Sequence, residues 1–97
     1  MLLQCERHYL MTYKVKVSKQ FKNEYRKIAK SGNTKMLDRI DSLIENAREN
    51  PSSGIGKPEA LKHNLSGLYS RRINQQDRLV YSVEHDTIVL HQCLGHY

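Results

Sequence analysis

Residues 57–81 read KPEALKHNLSGLYSRRINQQDRLVY, and the second half of this stretch decides the fold. From Leu68 the residues alternate: Leu68, Ser70 and Arg72 fall on one side of an extended chain, and Tyr69, Arg71 and Ile73 on the other. Residues 74–76 are turn-formers, and beyond them Leu79, Tyr81 and Val83 alternate with Arg78, Val80 and Ser82. Two such strands around a short turn predict an antiparallel hairpin. One of the adjacent arginines, Arg71 or Arg72, has to face away from the core unless a bulge intervenes. A short extended segment over 59–62 leads in through a turn at 64–67. A turn at 84–86 leads out to a last strand over 87–93, with Ile88 and Leu90 in one row and Val89, His91 and Cys93 in the other.

Upstream the period changes. Tyr13, Val15 and Val17 alternate with Lys14, Lys16 and Ser18, which predicts a strand with one buried and one wet face. After Ser18, a natural N-cap, Phe21, Tyr25, Ile28 and Ala29 recur at helical spacing. Ser31-Gly32 breaks this helix, Asn33 or Thr34 caps the next, and Met36, Leu37, Ile40, Leu43, Ile44 and Ala47 form its apolar stripe until Asn50-Pro51. So short a connection implies an αα-hairpin. Residues 51–57, PSSGIGK, read as a mobile surface loop; their Gly-x-Gly-Lys has neither the spacing nor the preceding strand of a phosphate-binding P-loop.

The order β-α-α-β-β-β-β predicts an α+β domain, the two helices on one face of a mostly antiparallel sheet and the other face free for a ligand. Residues 1–10 lack a period and are set apart as an N-terminal extension from a domain over 11–97. Ninety-seven residues suit one domain, and the formal charge of +6 favours an anionic partner. Two cysteines, Cys5 and Cys93, make no disulfide framework, which suits a reduced, cytoplasmic setting. The start of the chain lacks the apolar core of a signal peptide, and no run is long enough to span a membrane.

The ionisable groups exceed what a small sheet needs, and they suit phosphodiester cleavage. Without a metal, RNA is cut by its own 2′-hydroxyl. That route requires a base, an acid for the leaving 5′-oxygen, and cations on the phosphorane. Glu59 suits the base and His96 the acid, while Arg72 and Arg78 offer permanent charge in a planar fork. Tyr69 and Tyr97 suit base stacking or a phosphate hydrogen bond. The bland readings are a solvated Glu59 paired with Lys62, arginines guarding a sheet edge, and tyrosines packed in the core. His91, Cys93 and His96, with His85 and Asp86 nearby, lie close enough in sequence to be weighed as metal ligands. No second Cys/His pair completes a zinc site, so no metal or cofactor is expected.

The segment GKPEALKHNLSGLYSRRINQQDRLVYSV and the ending LHQCLGHY resemble the YoeB/Txe toxins of bacterial toxin–antitoxin modules, within the RelE-like group. The resemblance is dense from Gly56 to Tyr97, looser through the helices, and does not reach residues 1–10. It implies a microbial-ribonuclease type of fold and a ribosome-dependent mRNA endonuclease. Matched by motif, Glu59 takes the general base, Arg78 the transition-state cation, His96 the general acid and Tyr97 substrate orientation. Lys62, His63 and Arg72 take supporting positions on the RNA-facing surface. The resemblance also implies a YefM/Phd-like antitoxin as partner, besides ribosome and message, and leaves a homodimer open. Tyr69 stands where some relatives carry tryptophan. A non-catalytic module that blocks the ribosome by occupancy has the same charge and fold.

Overall fold

The computed structural model describes residues 12–62 and 65–95. Strand β1 (Lys14–Val17) leads into helix α1 (Lys19–Lys30) and helix α2 (Thr34–Glu49); strands β2 (Glu59–Ala60), β3 (Leu68–Arg72), β4 (Arg78–Glu84) and β5 (Thr87–Gln92) follow. The five strands form one sheet in the order β1-β5-β4-β3-β2. The β2–β3, β3–β4 and β4–β5 pairs are antiparallel and β1 runs parallel to β5, which is the mostly antiparallel α+β arrangement expected.

Local chemistry sets the boundaries. The Ser18 hydroxyl accepts from the Phe21 N–H at 3.0 Å and donates to the His91 carbonyl at 3.2 Å, so the cap of α1 is also its tie to β5. Asn33 caps α2 by accepting from Met36 N–H at 3.1 Å. Gly32 between the helices has φ +78, a conformation that glycine adopts without penalty. In the β3–β4 turn, the Asn74 side chain accepts from the N–H groups of Gln76 and Asp77.

The core lies between the helices and one sheet face. Phe21 and Ile28 of α1 and Ile40, Leu43 and Ala47 of α2 meet Leu79, Tyr81, Ile88, Leu90 and Cys93. Ala29, expected on the apolar stripe, is exposed. Two strand readings also need correction. All four β1 residues are exposed, with Val15 and Val17 at 40% and 41%. The strand lies at the sheet's edge, and its valines border an open apolar groove with Phe21, Tyr25, Ile44 and Leu90. In β5 the single row of Val89, His91 and Cys93 is broken by a register shift opposite Val80 and Tyr81. One extra residue resets the alternation, so Cys93 joins the core while the His91 ring lies 2.8 Å from the Ser82 hydroxyl.

Among the described residues no helix is long and apolar enough to cross a membrane. Leu43 is fully buried between α2 and the sheet. Leu43→Ala is expected to cost about 2–5 kcal/mol in urea unfolding, against a change within about 0.5 kcal/mol for exposed Lys35→Ala.

Candidate active site

Strand pairing assembles the site. Glu59 of β2 stands opposite Ser70 of β3, and Arg72 of β3 stands opposite Arg78 of β4. Ser70 and Arg72 are two residues apart and so share a face, away from the helices. A cavity of about 330 Å³ opens there, lined by Lys57, Pro58, Glu59, Ser70, Arg72 and Arg78. Three cations and one carboxylate line it. Like charges directly opposite each other weaken a sheet, so the Arg72–Arg78 pair favours negative charge in the cavity, of which Glu59 supplies one carboxylate. Both arginines are anchored. Arg78 Nη1 donates to the carbonyls of Asn74 and Asp77 at 3.0 and 3.1 Å. The backbone of Arg72 donates to Gly56 O at 2.7 Å and accepts from Arg39 Nη2 at 2.9 Å.

Arg71 points the other way and is fully buried. Its Nε donates to the Tyr81 hydroxyl at 2.8 Å, Nη1 to Asn46 Oδ1 and the Ile55 carbonyl, and Nη2 to the carbonyls of Asn50 and Ser53. All five donors of a guanidinium are thereby used, every one on a neutral acceptor. Burial pushes the Tyr81 phenol up, against the opposing pull of Arg71, so it stays protonated and donates to Pro51 O at 2.6 Å. One alternative and one expectation fall here. Arg71 guards no edge, because β3 lies between β2 and β4. The 51–57 loop is not loose, since Arg71, Tyr81, Asn46 and Arg72 fasten its backbone to the sheet and α2. The loop ends at Lys57, whose φ of +50 is a strained value for a non-glycine residue.

The profile of the YoeB-like toxins of bacterial type II toxin–antitoxin systems matches residues 17–97. The chain belongs to this family. Toxin YoeB of Escherichia coli K12 is 48% identical over 63 residues, 65% of this chain and 75% of the relative. Among solved structures, a YoeB/ParE toxin from Agrobacterium tumefaciens superposes with a TM-score of 0.83 at 33% identity, covering 87% of this chain and 99% of that one. The toxin of a YoeB–YefM complex from Staphylococcus aureus gives 0.78 at 41% identity, covering 88% and 98%.

Of the residues singled out from the sequence, this YoeB-family chain brings Glu59, Arg72 and Arg78 together in the cavity. Lys62 is exposed beyond β2 and does not line it. Tyr69 is not there at all. It is on the helix-facing side of β3, its ring stacked on Tyr81 with centroids 5.7 Å apart and planes 14° from parallel. Alternation with Ser70 carries it away from the cavity, onto the face that Arg71 shares. His63, His96 and Tyr97 lie outside the described residues. The segment before His96 is held closely, however. Glu24 of α1 accepts from the N–H groups of Cys93 and Leu94 at 2.8 and 3.1 Å. Asp77 accepts from Gly95 N–H at 2.7 Å, and Gly95 O accepts from Arg78 N–H at 3.1 Å. The chain therefore reaches position 96 from a point fixed to the backbone of Arg78.

Sequence reasoning passes over Lys57 and Ser70. Lys57 reads only as the end of an incomplete P-loop, although it stands two residues before Glu59. Ser70 is 2% exposed, and its small side chain leaves space between Glu59 and Arg72; alternation with Arg72 is the available signal. As for the metal reading, the bulge sends His91 and Cys93 to opposite faces.

Burial, reinforced by the carboxylates of Glu24 and Asp77, pushes the Cys93 thiol up to about 12. In a Cys5→Ser background at pH 8, Cys93 is expected to resist iodoacetamide in the native protein and to react fully in guanidinium, as read by mass spectrometry. Rapid native labelling would contradict the burial of this thiol.

Proposed function

We propose that this toxin is a ribosome-dependent endoribonuclease that cuts message in the decoding site by a metal-independent attack of the 2′-hydroxyl. The observation that carries the reading is the pair of arginines facing each other across β3 and β4, with one carboxylate in the same cavity. A scissile phosphate between Arg72 and Arg78 relieves their repulsion, and its extra negative charge in the phosphorane strengthens both contacts. Glu59 takes the 2′-proton. The 2′-oxygen bonds to phosphorus, the bond to the 5′-oxygen breaks, and His96 protonates the leaving oxygen. The products are a 2′,3′-cyclic phosphate and a free 5′-hydroxyl. Tyr97 orients the substrate, and Lys62 and His63 hold flanking RNA; Lys57 adds a third positive charge to the cavity. Family membership supports these roles, and the anchoring of Gly95 to Arg78 supports the entry of His96 into the site.

The cognate partner is a YefM-like antitoxin. The complex from Staphylococcus aureus supports this reading, as does the net charge of +6, which suits an acidic segment. The apolar groove beside β1 gives such a segment a non-polar footing.

Toeprinting on programmed ribosomes tests the reading. A new message 3′ end is expected with the wild-type toxin, whereas intact message with a stall would indicate a blocker that acts by occupancy. Glu59→Ala and His96→Ala are each expected to lower cleavage by about a hundredfold or more. Unchanged rates in both would remove the proposed acid and base. A message with a 2′-deoxy sugar at the scissile position is expected to resist cutting, and efficient cleavage of it would require hydrolysis instead.

A further inference from the structure

We propose that Arg71 is a positioning residue for Glu59: from the helix side of the sheet it fixes the loop that delivers the base to the opposite face. This inference rests on the nuclease reading of the cavity. Strand β2 is two residues long, Glu59 and Ala60, both exposed. So short a pairing at a sheet margin holds its own backbone weakly. On the downstream side Leu61 is buried and donates its N–H to the Leu68 carbonyl at 2.9 Å; on the upstream side the chain entering β2 is residues 50–56.

Within those seven residues, Arg71 takes the carbonyls of Asn50, Ser53 and Ile55, and Tyr81, itself bonded to Arg71, takes that of Pro51. Asn46 Oδ1 joins the Arg71 fork to the Ile55 N–H. Gly56 is packed so closely that a Cβ there would lie 2.6 Å from Leu43 and 3.2 Å from the Arg71 Cβ. The loop leaves this grip one residue before Lys57, so the path to Glu59 passes through a single strained residue and a proline. A planar fork with five donors accounts for the arrangement, whereas a lysine has three donors on one nitrogen and cannot reach all five acceptors. Arg71 does not line the cavity, so its effect on chemistry has to pass through Glu59.

The test is a double-mutant cycle. Arg71→Lys and Glu59→Gln are made singly and together, and single-turnover cleavage of ribosome-bound message is followed at saturating toxin, below the melting temperature of each variant. The expectation for Arg71→Lys is a loss of about tenfold to a hundredfold in rate, with half-saturation changed by less than about twofold and faster amide exchange over 51–60. Glu59→Gln should then cost far less in the Arg71→Lys background than beside the native arginine. A purely structural arginine would lower the melting temperature and leave the rate of folded protein unchanged; that result, or an equal cost of Glu59→Gln in both backgrounds, overturns the proposal. Should Arg71→Lys not fold, Asn46→Ala, which removes one acceptor of the fork, replaces it in the same cycle with the same two criteria. Wild-type toxin that leaves message intact would overturn the nuclease reading and this proposal with it, whereas wild-type cleavage with either adverse result overturns this proposal alone.

Discussion

The architecture depends on one buried guanidinium without a carboxylate hydrogen-bonded to it. A charge removed from water is costly unless every donor is satisfied, and Arg71 meets that condition with one side-chain amide, one phenol and three loop carbonyls. These acceptors come from three parts of the chain: α2, the loop after it, and β4. The helical half and the sheet half are thus joined through loop backbone, which is polar and is held there by hydrogen bonds. Removing the arginine would leave three loop carbonyls without this partner, a loss larger than that of an ordinary surface cation.

A second set of ties works the same way at the chain's end. Glu24 and Asp77 hold the N–H groups of Cys93, Leu94 and Gly95, so carboxylates serve as caps for the segment that follows β5. Burial, with their charge added to it, keeps the Cys93 thiol protonated. The two arms of the proposed site, Glu59 on one side and the C-terminal residues on the other, both arrive on segments with little regular structure. Each is fixed by charged side chains that bind backbone rather than each other, an arrangement suited to a domain too small to enclose long loops in a core.

Much of this is legible in the sequence, and for definite reasons. Period changes at Ser18 and after Asn50 locate both helices, and the turn at Asn74 locates the hairpin, because those signals are local. That Arg71 and Arg72 take opposite faces follows from alternation alone. The failures are of another kind. Alternation has no means of showing a bulge, so it places Cys93 with His91. Edge position depends on strand order, so the pattern gives β1 a buried face and Arg71 an edge. The 51–57 loop reads as mobile because its composition is turn-rich, while the residue that binds it lies 16 positions beyond Ile55. Tyr69 is assigned to the site by residue type, although it shares its face with Arg71 and the core.

The adjacent arginines show why the proposed site and the fold's stability are hard to separate. In a strand, successive residues serve opposite faces, so Arg71 and Arg72 put two charges within one dipeptide to different uses. Arg72 faces Arg78, an arrangement that by itself weakens the β3–β4 pairing. Arg71, on the same strand, binds β4 through Tyr81 and the loop through three of its carbonyls, and so holds β3 in register where repulsion would loosen it. Opposed cations on one strand pair call for compensation nearby; Glu59 supplies one carboxylate in the same cavity, and the ties on the other side of β3 supply a second, mechanical one. On this argument the buried arginine, by fastening β3 to β4 from the core side, helps the opposed pair persist.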